Sequence, residues 1–525
     1  MATTTADFVT SFQNEPVTDF SDAENVRRME AALATVRARL GERYPLIIDG
    51  EEIHDGPTAD SVNPGRPDEV VGSVVQANAA QAVRAIQAAD RAFESWRKVP
   101  AEERAEVLLR AADMLRERKF EYAALMAHEV SKSWPEADGD VAELIDFAGY
   151  YAREAIRLGG SHPMHPYPGE DNHLRYIPLG VTVVIPPWNF PGAIMGGMTM
   201  AAIVSGNTVV LKPASTSPVI AAWFSRLLIE AGLPAGVLNF LPGPGSEIGD
   251  LLVDHPRTRM IAFTGSKEVG LRIYERASRV HEGQLWLKRT ILEMGGKDAI
   301  LVDETADLDA AAAGIVAAAF GFQGQKCSAC SRAIVVDEVY DDVLEKVVEG
   351  ARKLTVGDPG DQDTFMGAVI DAKAFAKIRA YIQIGRQEGR VVLGGQVDEN
   401  ADGYFIPPTI VADVAPDARL AQEEIFGPVL AFIRASDFEH GLDIANNTEY
   451  GLTGALYSQS QERLERAGQD FHVGNLYLNR KCTGALVGVQ PFGGFNMSGT
   501  DSKAGGPDYL PLFMQAKTVT RRLPR

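Results

Sequence analysis

A chain of 525 residues, 45% apolar and 23% charged, has room for roughly two to four globular domains. Its net charge of −20 repels phosphate backbones and anionic lipid, which argues against a nucleic-acid or membrane partner. Three cysteines, Cys327, Cys330 and Cys482, are too sparse for a disulfide framework and read as reduced thiols, and the pair Cys327/Cys330 has no second ligand pair for zinc, so no metal is expected.

The opening MATTTADFVTSFQNEP carries acids and no early Lys or Arg, unlike a secretory or transit leader. With no apolar run near the ~20 residues of a membrane span, a cytoplasmic protein is expected. Residues 1–20 lack a clear period, and 1–21 are expected to form an arm on the surface. The run 21–41 predicts a helix capped by Ser21 or Asp22 and stopped by Gly41. YPLIIDGEEI predicts a hairpin about an Asp-Gly turn. Over 77–158 apolar positions such as Ala79, Val83, Ile86, Ala89 and Phe93 recur at helical spacing.

From 181 to 302 short β-branched runs (VTVVI, TVVLK, VLNFL, MIAFTG, RTILEM, AILV) alternate with helical stretches, one of them running to about His255. That alternation predicts a parallel sheet with helices on both faces, which binds ligands at the carboxyl ends of its strands. After Asp303 an Ala-rich helix, a Gly-rich loop and the strand SRAIVVD predict a second α/β unit. The apolar-alternating end, 504–525, predicts a terminal strand whose edge needs a partner, another subunit being one solution.

Five stretches carry candidate chemistry. In FGFQGQKCSA, glycines let a ligand approach, and Cys327 precedes a run expected to open as a helical turn, where the dipole and Lys326 would stabilise a thiolate; equally, a lone cysteine is often an inert core residue. Glu293 ends a strand before Gly-Gly, where a carboxylate can serve as general base or merely face solvent. Asn189, at a strand end in IPPWNFP, can donate to an oxyanion or simply form a turn. Lys212 ends TVVLK, where a sheet meets a nucleotide, or is a surface lysine. GPGSEIG (243–249) has GxGxxxG spacing, not a dinucleotide fingerprint, yet lies between strand and helix where phosphate can bind.

Taken together, PWNFP (187–191), LKPAS (211–215), FTGSKEVG (263–270), LEMGGKDA (292–299), GQKCSA (324–329), EEIFGPVL (423–430) and PFGGFNMSG (491–499) are seven collinear motifs, and over nearly its full length the chain resembles the aldehyde dehydrogenase superfamily. The resemblance implies two α/β domains with parallel sheets plus a small β oligomerisation flap. It implies a cofactor-binding domain over 22–158 and 181–292, a catalytic domain over 293–489 and bridging segments at 159–180 and 490–525.

It further implies Cys327 as nucleophile, Glu293 as the base that activates water, and Asn189 with the Cys327 amide as oxyanion hole. NAD would be held by Lys212 at the adenine-side ribose, Thr264, Gly265 and Ser266 along the cofactor, Glu424 at the nicotinamide ribose and Phe426 beside the nicotinamide. Ile185, Pro187, Trp188, Ala214, Gly245, Gly249, Val269 and Gly295 would complete that site. Where many relatives have Glu after KPA, Ser215 stands here, and the lost repulsion implies that NADP is tolerated.

PYPGEDN (166–172), FQGQKCSA, FHVGNLYLNRKCTGALVGVQPFGGF (471–495) and the long N-terminal arm resemble the branch of the family whose substrate is glutamate γ-semialdehyde. Lys326, Ser328 and a Gly484–Ala485 anion nest would take its α-amino-acid head group, and Phe190 and Phe492 its aliphatic chain. Glu136 is a possible gate beside the substrate. Other readings are a different semialdehyde or betaine aldehyde, acyl transfer to coenzyme A, and a non-catalytic protein on the same fold. The length leaves no room for a fused proline-oxidising enzyme, and a homo-oligomer, a dimer or a trimer of dimers, is expected.

Overall fold

In the computed structural model, residues 11–398 and 402–524 are described; the first ten residues of the expected arm lie outside them. Two seven-stranded sheets organise the chain. The first runs Arg289–Glu293, Thr258–Thr264, Val181–Ile185, Thr208–Leu211, Leu238–Phe240 in parallel, then adds the hairpin Leu46–Ile48 and Glu51–Ile53 antiparallel. The second runs Arg390–Leu393, Thr409–Ala412, Val429–Ala435, Arg332–Val336, Ala299–Val302, Thr453–Tyr457, Asn475–Leu478, parallel except at its first pair. The central strands of both are buried on both faces, which is why they read as continuous β-branched runs rather than alternating ones. Ala299–Val302 continues the rhythm of the first sheet in sequence yet belongs to the second, because Glu293 ends one sheet and the Gly-Gly turn redirects the chain.

The first helix spans Ala23–Arg37, shorter than 21–41: Asp22 caps it by accepting from the Glu24 N–H, and it ends one turn before Gly41, which takes φ +81°. Four helices fill 77–158, Ala79–Trp96, Ala101–Glu117, Lys119–Val130 and Trp134–Gly159. The helix expected up to His255 is a π-helical turn, Gly245–Gly249, running into only Asp250–Asp254. Three consecutive prolyl and glycyl positions, Pro242 to Pro244, precede it and delay regular hydrogen bonding. Among the described residues no helix is long and apolar enough to cross a membrane.

The terminal strand is Met514–Arg522, and its partner is in the same chain: it pairs antiparallel with Glu170–Pro178, which also pairs with His162–Pro163. Buried Asn207 ties this small sheet to the first large one. Its Oδ1 accepts from the Leu179 and Gly180 N–H groups at 2.7 and 2.9 Å, and its Nδ2 donates to the Phe513 carbonyl at 2.9 Å. Asn207→Ala leaves three buried backbone groups unpaired, and a loss of roughly 3 kcal/mol is expected. Calorimetry should show a clear fall in melting temperature; an unchanged value would mean that Asn207 does not hold the two sheets together.

Candidate functional site

Chain order in the first sheet reverses between Val181–Ile185 and Thr258–Thr264, so the loops leaving their carboxyl ends diverge and open a crevice. Ile185, Pro187, Trp188 and Asn189 leave one end; Thr264, Gly265 and Ser266 leave the other. Ser266 caps the helix Lys267–Ala277 by accepting from the Val269 N–H, and Val269 itself is exposed. Lys212, then Ala214 and exposed Ser215, leave the next strand. The Lys212 ammonium is 8% exposed and its hydrogen bond is long, 3.4 Å to the Pro213 carbonyl. Burial lowers its pKa to about 8. A buried cation so weakly satisfied suits the hydroxyls of an incoming nucleotide. At Gly245 and Gly249 an added methyl would meet nothing within 4 Å, so that turn is open to a ligand.

The second sheet brings Cys327. Helix Leu308–Phe320 ends at Gly321, and Phe322, Gln323 and Gly324 then all take left-handed conformations, φ 49°, 56° and 67°. Two non-glycine residues there cost about 1–2 kcal/mol each. The turn is held by side-chain amides. Gln323 donates to the Ser131 and Ala368 carbonyls at 3.0 and 2.9 Å, and Gln325 accepts from the Ile370 N–H at 3.0 Å. The Gln325 carbonyl accepts from Asn189 Nδ2 at 3.0 Å, which links the crevice of the first sheet to the nucleophile loop of the second. Cys327 is half-buried, whereas Cys330 and Cys482 are buried.

The expected stabilisation of a thiolate is absent. Residues 325–331 form turns that lead into strand Arg332–Val336, so no helix dipole points at the sulfur. The Lys326 ammonium is committed to the Glu136 carboxylate at 2.7 Å. Burial, then the carboxyls of Asp298, Glu293 and Glu424, push the Cys327 thiol well above its ordinary value.

Glu293 ends its strand as the first sheet's last parallel residue and is buried. Its Oε1 accepts from Ser502 Oγ, while its Oε2 has no partner among the described residues. Burial pushes this carboxyl up to about 8, against the bonds from Ser502 and the Gly494 N–H and the charge of Lys503. The fold therefore holds this proton more tightly than an unfolded chain, where the value is about 4.3. The stability it contributes is complete below about 4.3 and is lost as pH rises through 8. Next in sequence, a methyl on Gly295 would strike the Glu424 carboxylate, and one on Gly296 the Asp298 carboxyl and the Cys327 carbonyl. Both positions must be glycine for Glu293, the Cys327 loop and Glu424 to meet; Glu424 accepts from the Gly296 N–H at 3.2 Å.

Aromatic rings line the approach. Trp188 stands edge-on to Phe426 at 5.7 Å and to Phe322 at 6.3 Å, and Phe190 to Phe322 at 6.4 Å. Phe426 is left-handed, φ 60°. Beneath Phe190, at 3.9 Å from the ring, lies the Lys132 ammonium, fully buried and paired with Asp140 at 2.6 Å. Asp140 also accepts from the Ala193 N–H at 2.6 Å and so fixes the helix that follows Asn189. The Ser328 carbonyl accepts from Cys482 Sγ at 3.5 Å, which sets Lys326–Cys327–Ser328 against the loop carrying Gly484 and Ala485. Gly484 is left-handed, φ 80°, as an anion nest requires. Phe492 pairs by both backbone groups with Ala504 at the base of the loop that places Ser502 on Glu293. Lys132, Asp140, Asp298 and Ser502 carry no motif signal that marks them for the site; of these, only Asp298, within LEMGGKDA, adjoins a motif glycine whose need for space could have pointed to it.

A model of the aldehyde dehydrogenase family matches residues 53–519. The 1-pyrroline-5-carboxylate dehydrogenases of a Geobacillus species and of Bacillus cytotoxicus are each 60% identical to the chain, over 512 and 515 residues; each alignment covers 98% of this chain, and 99% and 100% of the respective relative. Among solved structures, the 1-pyrroline-5-carboxylate dehydrogenase from Thermus with bound NAD matches with a TM-score of 0.95 at 52% identity, over 98% of this chain and 99% of that one. Proline utilization A from Bdellovibrio bacteriovorus matches with a TM-score of 0.96 at 46% identity, over 98% of this chain and 54% of that one.

Iodoacetamide should modify Cys327 of the ligand-free protein slowly at pH 7, the rate climbing without a plateau to at least about pH 9. Asp298→Asn removes the largest of the three carboxyl influences and should speed the reaction at about pH 9 by about three- to tenfold. Peptide mass spectrometry measures both, and a plateau below about pH 8 would mean that burial and the three carboxyls do not hold the proton on the sulfur.

Proposed function

The chain belongs to the aldehyde dehydrogenase family, and from that premise we propose that it oxidises L-glutamate 5-semialdehyde, the open form of 1-pyrroline-5-carboxylate, to L-glutamate with NAD, the second step of proline degradation. The observation that carries the substrate is the 60% identity to 1-pyrroline-5-carboxylate dehydrogenases over 98% of the chain. Cofactor binding is assigned to 22–158 and 181–292, catalysis to 293–489, and subunit bridging to 159–180 and 490–525. The exposed outer strand of the small sheet supports a homo-oligomer built across that edge. A cytoplasmic location suits three reduced cysteines.

The chemistry follows from the residues. The Cys327 thiol gives up its proton to water in the crevice as Sγ adds to the aldehyde carbon, and the resulting oxyanion takes hydrogen bonds from Asn189 Nδ2 and the Cys327 N–H; loss of one such donor typically costs ~3 kcal/mol. Lys212, Thr264–Ser266, Glu424 and Phe426 would hold NAD, which would supply the hydride acceptor. The tetrahedral adduct thereby becomes a thioester on Cys327. Glu293 then takes a proton from water, which attacks the thioester and frees the sulfur. A base with its proton held to about 8 must first lose it, so hydrolysis quickens as pH rises through that value. Ser328 and the Gly484–Ala485 amides take the head group, with Phe190 and Phe492 on the methylenes, and Lys326 joins them by sharing the ammonium that now pairs with Glu136.

Steady-state and rapid-quench assays with glutamate semialdehyde test these roles. Cys327→Ala should abolish NADH formation. Glu293→Gln should keep a single burst of NADH but block turnover, and its residual rate should lose the rise near pH 8. Multiple turnover by either variant at the wild-type rate sinks the assignment. Because Ser215 is neutral and exposed, NADP should also serve; turnover with it below about a thousandth of that with NAD, a ~4 kcal/mol discrimination, would show that another group excludes the 2′-phosphate.

A further inference from the structure

Residues 11–22 lie outside the stretch that the family model matches, which begins at 53, yet the 1-pyrroline-5-carboxylate dehydrogenases align over 98% of the chain. The segment has no regular structure but is tied down along its length on helix Trp134–Gly159. At one end Phe20 packs edge-on to Trp134 at 5.4 Å, and Thr18 donates through N–H and Oγ1 to Asp138 at 2.7 and 2.5 Å. At the other end the Glu15 N–H and Asn14 Nδ2 donate to Asp146 at 2.6 and 2.8 Å, and Phe12 packs on Tyr150 at 5.3 Å.

Beyond the helix the strap reaches one more place. Asn14 Nδ2 also donates to the Val487 carbonyl at 2.9 Å, and the Phe12 ring lies 3.2 Å from where a methyl on Gly488 would stand. Val487 is two residues past Ala485. The loop between has left-handed glycines at both ends, Gly484 and Gly488, and such a loop is conformationally free unless something outside it decides its shape. The Gly488 N–H donates to the Gly505 carbonyl at 2.8 Å, which fixes its far side. Asn14 and Phe12 hold that same end from the helix side, while at the other end the Thr483 and Gly484 carbonyls accept from Arg480 at 2.9 and 3.0 Å.

We propose that this N-terminal strap, through Asn14 and Phe12, is a positioning element that holds loop 484–488 in the shape that receives an α-amino-acid head group, and so sets selectivity for such aldehydes over plain ones. The inference rests on the assignment of the head group to the Gly484–Ala485 amides. A backbone nest binds a carboxylate well when its amides already point inward, since a free loop spends ligand affinity on being ordered.

The test compares glutamate semialdehyde with propanal, which lacks the head group, in wild type, Asn14→Ala and Phe12→Ala. Each variant should raise KM for the semialdehyde by about three- to tenfold with kcat retained, the scale of one lost hydrogen bond or packing contact. The propanal parameters should move less than about twofold. Parallel losses on both aldehydes, or no change on either, overturn the strap's role; Phe12→Ala keeps the test open if Asn14→Ala fails to fold. Wild-type enzyme with no preference for the semialdehyde overturns the head-group assignment and the inference with it, whereas a preference that persists in both variants overturns the strap alone.

Discussion

A left-handed turn of three residues is the constraint from which the site is built. Phe322, Gln323 and Gly324 could relax in isolation, and the chain prevents it by burying two glutamine side chains as hydrogen-bonding props. One of those props ends on Ser131 and Ala368, so segments almost two hundred residues upstream and forty downstream must be in register before the sulfur is placed. The Asn189 amide then couples the same turn to the crevice of the other sheet. Strain here is local, and the stability that opposes it is spread over both sheets.

The second organising feature is the density of carboxyls around a thiol. Glu293, Asp298 and Glu424 crowd one wall because Gly295 and Gly296 have no side chains to keep them apart. Burial and mutual repulsion raise the proton affinity of all three carboxyls and of the sulfur. This arrangement suits a reaction in which the sulfur must be quiet until a substrate carbonyl is beside it and in which a base must be available only afterwards.

Much of this is legible in the amino-acid sequence. Strands such as Val181–Ile185 and Ala299–Val302 announce themselves because burial on both faces admits little but β-branched residues. Cys327, Glu293 and Asn189 stand out because strand ends and glycine turns concentrate at a crevice. What the sequence hides depends on distance in the chain. Lys326 beside Cys327 looks like a partner for the thiol, and Glu136, nearly two hundred residues away, claims it. Lys132 under Phe190 has no local signature, since its reason for being buried is Asp140 and two rings contributed by other segments. The second sheet's ownership of Ala299–Val302 turns on where the chain bends at Gly295, which rhythm alone does not report.

The two other thiols of the chain, Cys330 and Cys482, are both buried, whereas Cys327 is only half-buried. Cys330 Sγ donates to the Arg332 carbonyl and Cys482 Sγ to the Ser328 carbonyl, both at 3.5 Å. The spacing Cys-x-x-Cys thus brings no rescue chemistry to Cys327. A peroxide that converts the Cys327 sulfur to a sulfenic acid meets two other thiols that are buried and held to backbone carbonyls, and further oxidation leads to the irreversible sulfinic state. Protection of the enzyme against oxidants is left to whatever occupies its crevice.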